Sequence, residues 1–180
     1  MTFPKRYADT VARLRVPSGF LIVVIFAWLS HPTAESLAIG LPVSILGLAL
    51  RAWAAGCLAK NQQLATGGPY SYTRNPLYIG TLMVAAGLVI AARSPWLGLL
   101  FALVFVFVYL PVIQLEEQHL RRLFPDYADY ARDVPALWPR LESRSRYGAQ
   151  GFRWALYQKN QEYQAGIGFI IGAAYLWWRL

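Results

Sequence analysis

Long apolar runs alternate with short polar, turn-forming segments along this chain. The runs are too continuous for the one-sided stripe of a soluble amphipathic helix. They fall at Leu14–Leu29, Leu37–Ala59, Leu77–Ala92, Trp96–Ile113 and Ala165–Trp178. A bilayer crossing takes about 20 residues, with roughly 17–25 the usual range. The second and fourth runs meet that length, the first and third sit at its lower edge, and the last needs flanking residues to snorkel. The pattern predicts an all-α integral membrane protein with about five transmembrane helices in a single domain, residues 1–180. Pro17, Pro32, Pro42, Pro95 and Pro111 fall near predicted span ends, where helices tolerate proline. The link Arg93-Ser-Pro95 is short, so the third and fourth spans form an antiparallel hairpin. Residues 114–163 are polar and rich in Arg and Tyr, and predict a lobe of short amphipathic helices inserted before the last span, residues 164–179.

Composition supports the membrane reading. Of 180 residues, 57% are hydrophobic, and the mean hydropathy is +0.35. Lys5, Arg6, Arg13 and Arg15 precede the first run as in a signal peptide, but no small-residue cleavage site follows. The net charge of +8 invites a nucleic-acid partner, yet its distribution argues otherwise. Most Lys and Arg lie in residues 1–13, 60–76 and 114–163, which share one side of the predicted topology, whereas Arg93 and Arg179 lie on the other. That asymmetry places the N-terminus and the lobe in the cytoplasm, with anionic membrane lipids as a secondary contact of the basic face. The single cysteine, Cys57, excludes an intramolecular disulfide. Gly168 and Gly172 have the small-xxx-small spacing that lets helices approach closely, within the bundle or in a homodimer. Trp177, Trp178 and Arg179 form an interfacial anchor.

Candidate chemistry gathers at two places. In "GPYSYTRNPLYIG", Gly68–Gly80, Pro76 starts the third span, so Arg74 and Asn75 sit beside a helix N-terminus, where an anion is favoured. A positive anchor with an aromatic belt, Tyr70, Tyr72 and Tyr78, explains the same residues. The hairpin brings Glu116 and Glu117, at the end of the fourth span, to that same surface. An arginine with a carboxylate suits a zwitterion, such as the amino-acid end of a metabolite; an internal Arg–Glu pair is the alternative. Glu117 and Arg121, four apart, suit an ordinary helical ion pair. Glu116-x-x-His119 has di-metal spacing, but such sites need a second copy that is absent, so no metal site is expected. Arg51 lies inside the second span, roughly 13 Å deep at 1.5 Å per residue, and is a functional candidate because an intramembrane charge is costly. The chain has no Rossmann, P-loop, G-x-S-x-G or H-E-x-x-H motif.

"GPYSYTRNPLYIG", followed by "LEEQHLRRLFPDYADYARDVPALWP", resembles the isoprenylcysteine carboxyl methyltransferase and phospholipid methyltransferase superfamily of integral membrane enzymes. The motif core covers about residues 55–141. The resemblance implies S-adenosylmethionine, with S-adenosylhomocysteine as product, bound at the membrane–cytosol boundary without a Rossmann domain. It implies Tyr70, Arg74, Asn75, Pro76, Tyr78, Glu116 and Glu117 at the cofactor's amino-acid end, and Tyr127, Tyr130, Val134 and Pro135 over the adenosine. Arg74, Glu116 and Arg51 are the expected catalytic residues. Asn75 stands where many members have histidine, which removes a titrating base there. The acceptor expected is lipid-like or prenylated, foremost an isoprenylcysteine-type carboxylate, with a phospholipid amine or a small thiol as alternatives. A sterol-reductase-like enzyme and a non-catalytic scaffold are the competing readings; missing nucleotide motifs count against the first, and the intramembrane charge against the second.

Overall fold

The computed structural model describes residues 3–140, 142 and 151–180, with backbone alone at 14–18. The stretch 143–150 of the predicted lobe, Leu141, and the side chains of Leu14, Arg15 and Pro17 lie outside the described residues. Every regular element among those described is helical. In chain order they are α1 (Lys5–Leu29), α2 (Ala34–Cys57), a 3-10 turn (Gly68–Ser71), α3 (Pro76–Ala92), α4 (Pro95–Val104), a π-helical turn (Phe105–Tyr109), α5 (Leu110–Leu123), α6 (Tyr127–Asp133), α7 (Trp154–Lys159) and α8 (Tyr163–Trp178).

Among the described residues, two helical stretches are long and apolar enough to cross a membrane: α2, and the continuous 29-residue rod Pro95–Leu123 formed by α4, the π turn and α5. Helix α3 is apolar but has 17 residues, and α8 has 16, about 24 Å at 1.5 Å per residue. Of the five expected spans, the second and fourth thus meet both the length and the apolarity of a crossing; α1 has 25 residues, of which Gly19–Leu29 is the apolar stretch among the described residues. The hairpin link is as short as expected: Arg93 in the left-handed region (φ 53°) ends α3, and α4 begins at Pro95.

The bundle wears its bulk outward. Phe20, Val23, Val24, Trp28, Leu46, Ile170 and Ile171 are exposed, as expected of helices whose solvent is lipid. The helix seam is instead built from small residues. A Cβ on Gly40 would lie 2.3 Å from the Gly87 carbonyl oxygen, and one on Gly47 would lie 2.7 Å from that of Gly80, so α2 and α3 meet backbone to backbone. Ser44 Oγ donates to the Val84 carbonyl at 3.0 Å, and Ser36 Oγ to that of Ala91 at 2.9 Å. These bonds give the seam polarity where hydrophobic contrast with lipid supplies none. The expected use of Gly168 and Gly172 inside the bundle is not found, since nothing lies within 4 Å of a Cβ at either. Helix α8 docks instead by its far end. Leu176 is fully buried, the Tyr175 hydroxyl donates to the Ala27 carbonyl at 2.7 Å, and Arg179 Nη2 to that of Ser30 at 3.1 Å.

The π turn has an identifiable cause. Pro111 has no N–H to return to the Phe107 carbonyl and crowds the preceding turn. The Tyr7 hydroxyl donates to that carbonyl at 2.7 Å, and the Gln114 amide exchanges bonds with the Phe3 backbone at 2.7 and 2.9 Å. Helix α1 is thereby fastened along α5.

Candidate functional site

At the end of the bundle opposite the Arg93 turn, the C-terminus of α2, the N-terminus of α3 and the second half of α5 surround a cleft of about 780 Å³. That volume suits a small-molecule site, which runs to roughly 300–1,000 Å³. Arg51, Leu77, Thr81, Tyr109 and Val112 line its inner part, on the helices, while Lys60, Asn61, Gln63, Glu116 and His119 supply the polar lining towards the loops. Tyr78 also lines it and packs edge-on to Tyr109, with centroids 5.8 Å apart.

Beside the cleft, the Tyr70–Asn75 stretch is joined to the segment following α5. The Arg74 amide donates to the Pro135 carbonyl at 2.9 Å and the Arg140 amide to that of Tyr72 at 3.1 Å. Thr73 Oγ1 and Asn75 Nδ2 both donate to the Ala136 carbonyl, at 3.1 and 3.0 Å, and the Tyr130 hydroxyl donates to that of Tyr70 at 2.7 Å. Arg74 is the rivet of this joint. Its Nη1 donates to the carbonyls of Ala131 and Val134, at 2.7 and 3.1 Å, closing the carbonyl end of α6 as a basic side chain commonly does. Its Nε and Nη2 reach Glu117 Oε1 at 3.0 and 2.8 Å.

The expected arginine–glutamate meeting is therefore present, but through Glu117. Glu116 lies about 100° around the helix from its neighbour, lines the cleft, and forms no ion pair among the described residues. Glu117 does not form the helical pair with Arg121 that their spacing suggested. It turns to Arg74, while the Arg121 guanidinium lies 5.4 Å from the Tyr127 ring centroid. Of the residues singled out from sequence, Arg51, Tyr78, Glu116 and His119 line the cleft. Tyr70, Asn75, Pro76, Tyr127, Tyr130 and Val134 are buried in the joint around it, and Pro135 is half-buried there.

Burial raises the phenols of Tyr70, Tyr127 and Tyr130 well above their ordinary range, reinforced at Tyr70 by Tyr130, Cys57, Glu116 and Glu162, and at Tyr127 by Glu117. All three stay neutral and are not bases; the Tyr130 hydroxyl serves as a donor, to the Tyr70 carbonyl. The buried Tyr70 hydroxyl has no hydrogen-bond partner within the described chain. Tyr70 packs with Leu58, Ala65 and Leu77, which themselves line the cleft.

Sequence reasoning missed Glu162. Its carboxylate takes Arg51 in bidentate fashion, Oε1 from Nε at 2.5 Å and Oε2 from Nη2 at 3.0 Å, and Arg51 Nη1 donates to Thr81 Oγ1. The signal was available, because Glu162 stands at the start of an apolar run, just as Glu116 stands at the end of one.

The phospholipid methyltransferase family profile matches residues 18–127. The chain is 39% identical over 107 residues to the cobalt-zinc-cadmium resistance protein CzcN of Cupriavidus metallidurans, covering 56% of this chain and 50% of that protein. It is 37% identical over 116 residues to the nickel-cobalt-cadmium resistance protein NccN of Alcaligenes xylosoxydans xylosoxydans, covering 63% of this chain and 53% of that protein. The chain thus spans about half the length of these curated relatives. No solved structure matches it.

Proposed function

The chain belongs to the phospholipid methyltransferase family, and on that premise we propose that it is an S-adenosylmethionine-dependent membrane methyltransferase acting on an amphiphilic acceptor. The observation that carries this reading is the cleft, which combines an unpaired carboxylate, aromatic walls and an apolar inner part. The donor's fit can be judged from those side chains. Its sulfonium and ammonium charges suit Glu116 and the faces of Tyr78 and Tyr109. Its carboxylate suits Lys60, and the partnerless Tyr70 hydroxyl has a hydrogen bond to give. Arg74, engaged by Glu117 and two carbonyls, holds the frame of the site in place.

The cofactor supplies a methyl group on a positively charged sulfur, already activated for attack by a lone pair. What remains for the protein is alignment and exclusion of water. Leu77, Val112, Leu115, Leu120 and Phe124 line the cleft and keep it less polar than water, which favours a reaction that disperses charge. A protic acceptor must also lose a proton, and Glu116 and His119 are the cleft's bases. With Nε2 of His119 donating to Asn61 Oδ1 at 3.3 Å, Nδ1 is left to accept.

Arg51 was the natural counter-ion for an isoprenylcysteine-type carboxylate, but Glu162 already occupies it. That supports a lipid amine or a thiol, uncharged at the reacting atom, over the carboxylate. The two relatives are named as metal-resistance proteins. Among the described residues no cluster of three His, Cys, Asp or Glu could hold a metal ion. We also place the cleft end on the cytoplasmic side of a multi-pass fold, because Lys60, Arg121, Arg122, Arg132, Arg153 and Lys159 cluster there.

Calorimetric titration of purified protein with S-adenosylhomocysteine tests the reading, and binding in the micromolar range is expected. Labelled-methyl transfer to panels of prenylcysteines, phospholipids and thiols then identifies the acceptor. Folded protein that binds no S-adenosylhomocysteine and labels no panel would refute the proposal.

A further inference from the structure

The C-terminal segment, outside the 18–127 family match, reaches into the cleft wall. Its course is fixed at several points against the end of α2. The Phe152 ring occupies the space where a Cβ on Gly56 would be, 2.1 Å from it, and the Arg153 amide donates to the Gly56 carbonyl at 2.8 Å. Asn160 Nδ2 donates to the carbonyls of Ala55 and Leu58, both at 2.9 Å. Those carbonyls lie at and near the end of α2, where the regular donors run out; that of Ala55 also takes the Leu58 amide at 3.3 Å. Gln161 then adopts φ 54°, a left-handed conformation uncommon for a residue with a side chain, and the chain turns so that Glu162 faces Arg51.

The resulting ion pair forms a partition. Arg51 lines the main cleft, while Glu162 lines a separate groove of about 280 Å³ on the α2–α8 side. The arginine side chain keeps 22% of its surface exposed against 9% for the glutamate, so the cleft meets the guanidinium with its charge already cancelled from behind. A lone arginine at that depth would select an anion; a compensated one does not.

We infer that Glu162 is a specificity-determining residue: by cancelling Arg51, it makes the inner end of the cleft neutral and tunes it to acceptors carrying no negative charge at their polar head. The inference rests on the methyltransferase reading only for the word acceptor. The electrostatics concern any amphiphile that enters.

The test compares two probes of one shape, farnesylcysteine carboxylate and farnesylcysteine carboxamide, by equilibrium binding to full-length protein in detergent. S-adenosylhomocysteine binding and thermal unfolding are measured in parallel. In the parent protein the two probes should bind within about 2-fold of each other. E162Q, which exposes the arginine charge, should shift preference towards the carboxylate by about 10-fold or more, and E162D should behave as the parent does. R51Q should shift it the opposite way, and the R51Q/E162Q double variant should discriminate no more than the parent. Should E162Q not fold, R51Q carries the test with reversed sign. A parent that already prefers the carboxylate 10-fold overturns the inference. So do E162Q and R51Q single variants that both fold and leave the ratio unchanged, or a protein that binds S-adenosylhomocysteine but neither probe. A folded parent protein that binds no S-adenosylhomocysteine and labels no acceptor panel, while the ratio still shifts as described, refutes the methyltransferase reading and leaves this inference standing.

Discussion

Arg74 and Arg51 each meet a glutamate far away in the sequence, 43 and 111 positions distant, yet the two pairs do different work. Arg74 divides its donors between Glu117 and two carbonyls at the end of α6, so its charge is used to close a helix and fasten a joint. Arg51 gives its donors to Glu162 and Thr81 and still lines the cleft. One pair builds the wall, and the other sets what the wall presents. Similar chemistry serves architecture in the first case and selectivity in the second, and the difference lies in what remains exposed.

That contrast can be broken from the architectural side first. Arg74→Ala leaves Glu117 partly buried without its partner and strips two carbonyls of a donor, and should cost about 3 kcal/mol. Thermal unfolding in detergent measures the loss, and Arg74→Lys should recover only part of it, because an ammonium cannot span carboxylate and carbonyls in one plane. Gly87→Leu comes next. Its Cβ alone would meet Gly40 O at 2.5 Å and Ser44 Oγ at 2.3 Å, so α2 and α3 must part, at about 1–3 kcal/mol. The same parting pulls Arg51 from Thr81, so probe discrimination and stability should both change, whereas Arg74→Ala should act chiefly on stability.

Smaller effects sharpen the comparison. Asn160→Ala removes both caps on the end of α2 and should destabilise by about 1 kcal/mol. If the C-terminal segment bears on the cleft, the farnesylcysteine binding ratio should move with it. Tyr70→Phe should leave stability within about 0.5 kcal/mol, since the hydroxyl bonds nothing in the described chain. It should nonetheless weaken S-adenosylhomocysteine about 3-fold, the share of one neutral hydrogen bond. Unchanged affinity would remove that hydroxyl from the site.

What the sequence disclosed follows from which signals are local. The Arg93-Ser-Pro95 link is a short-range feature, and it sufficed to predict that Arg74 meets a glutamate at the far end of the hairpin. Which glutamate would answer was not legible, because adjacent helical residues differ by about 100° and the phase of α5 depends on the π turn before it. Glu162 was hidden by distance, although an ionisable residue beside an apolar run asks for a partner wherever it occurs. The seam glycines were passed over for a related reason. Gly40 and Gly47, like Gly80 and Gly87, are seven apart, a spacing that marks one helix face as surely as four does, while Gly168 and Gly172 fit the familiar pattern and face open space.

The π turn carries a consequence for register. Its i-to-i+5 bond, Leu110 N–H to the Phe105 carbonyl, accommodates one residue more than a regular helix would over the same length. Every side chain beyond it is set back by one place. Straightening that turn would carry position 116 to about the angle that 117 now holds, handing the wrong carboxylate to Arg74 and swinging Glu117 away from it. A single surplus residue, with Pro111 beside it and Tyr7 bound across it, thus decides which acid is locked into the frame and which is left facing the ligand.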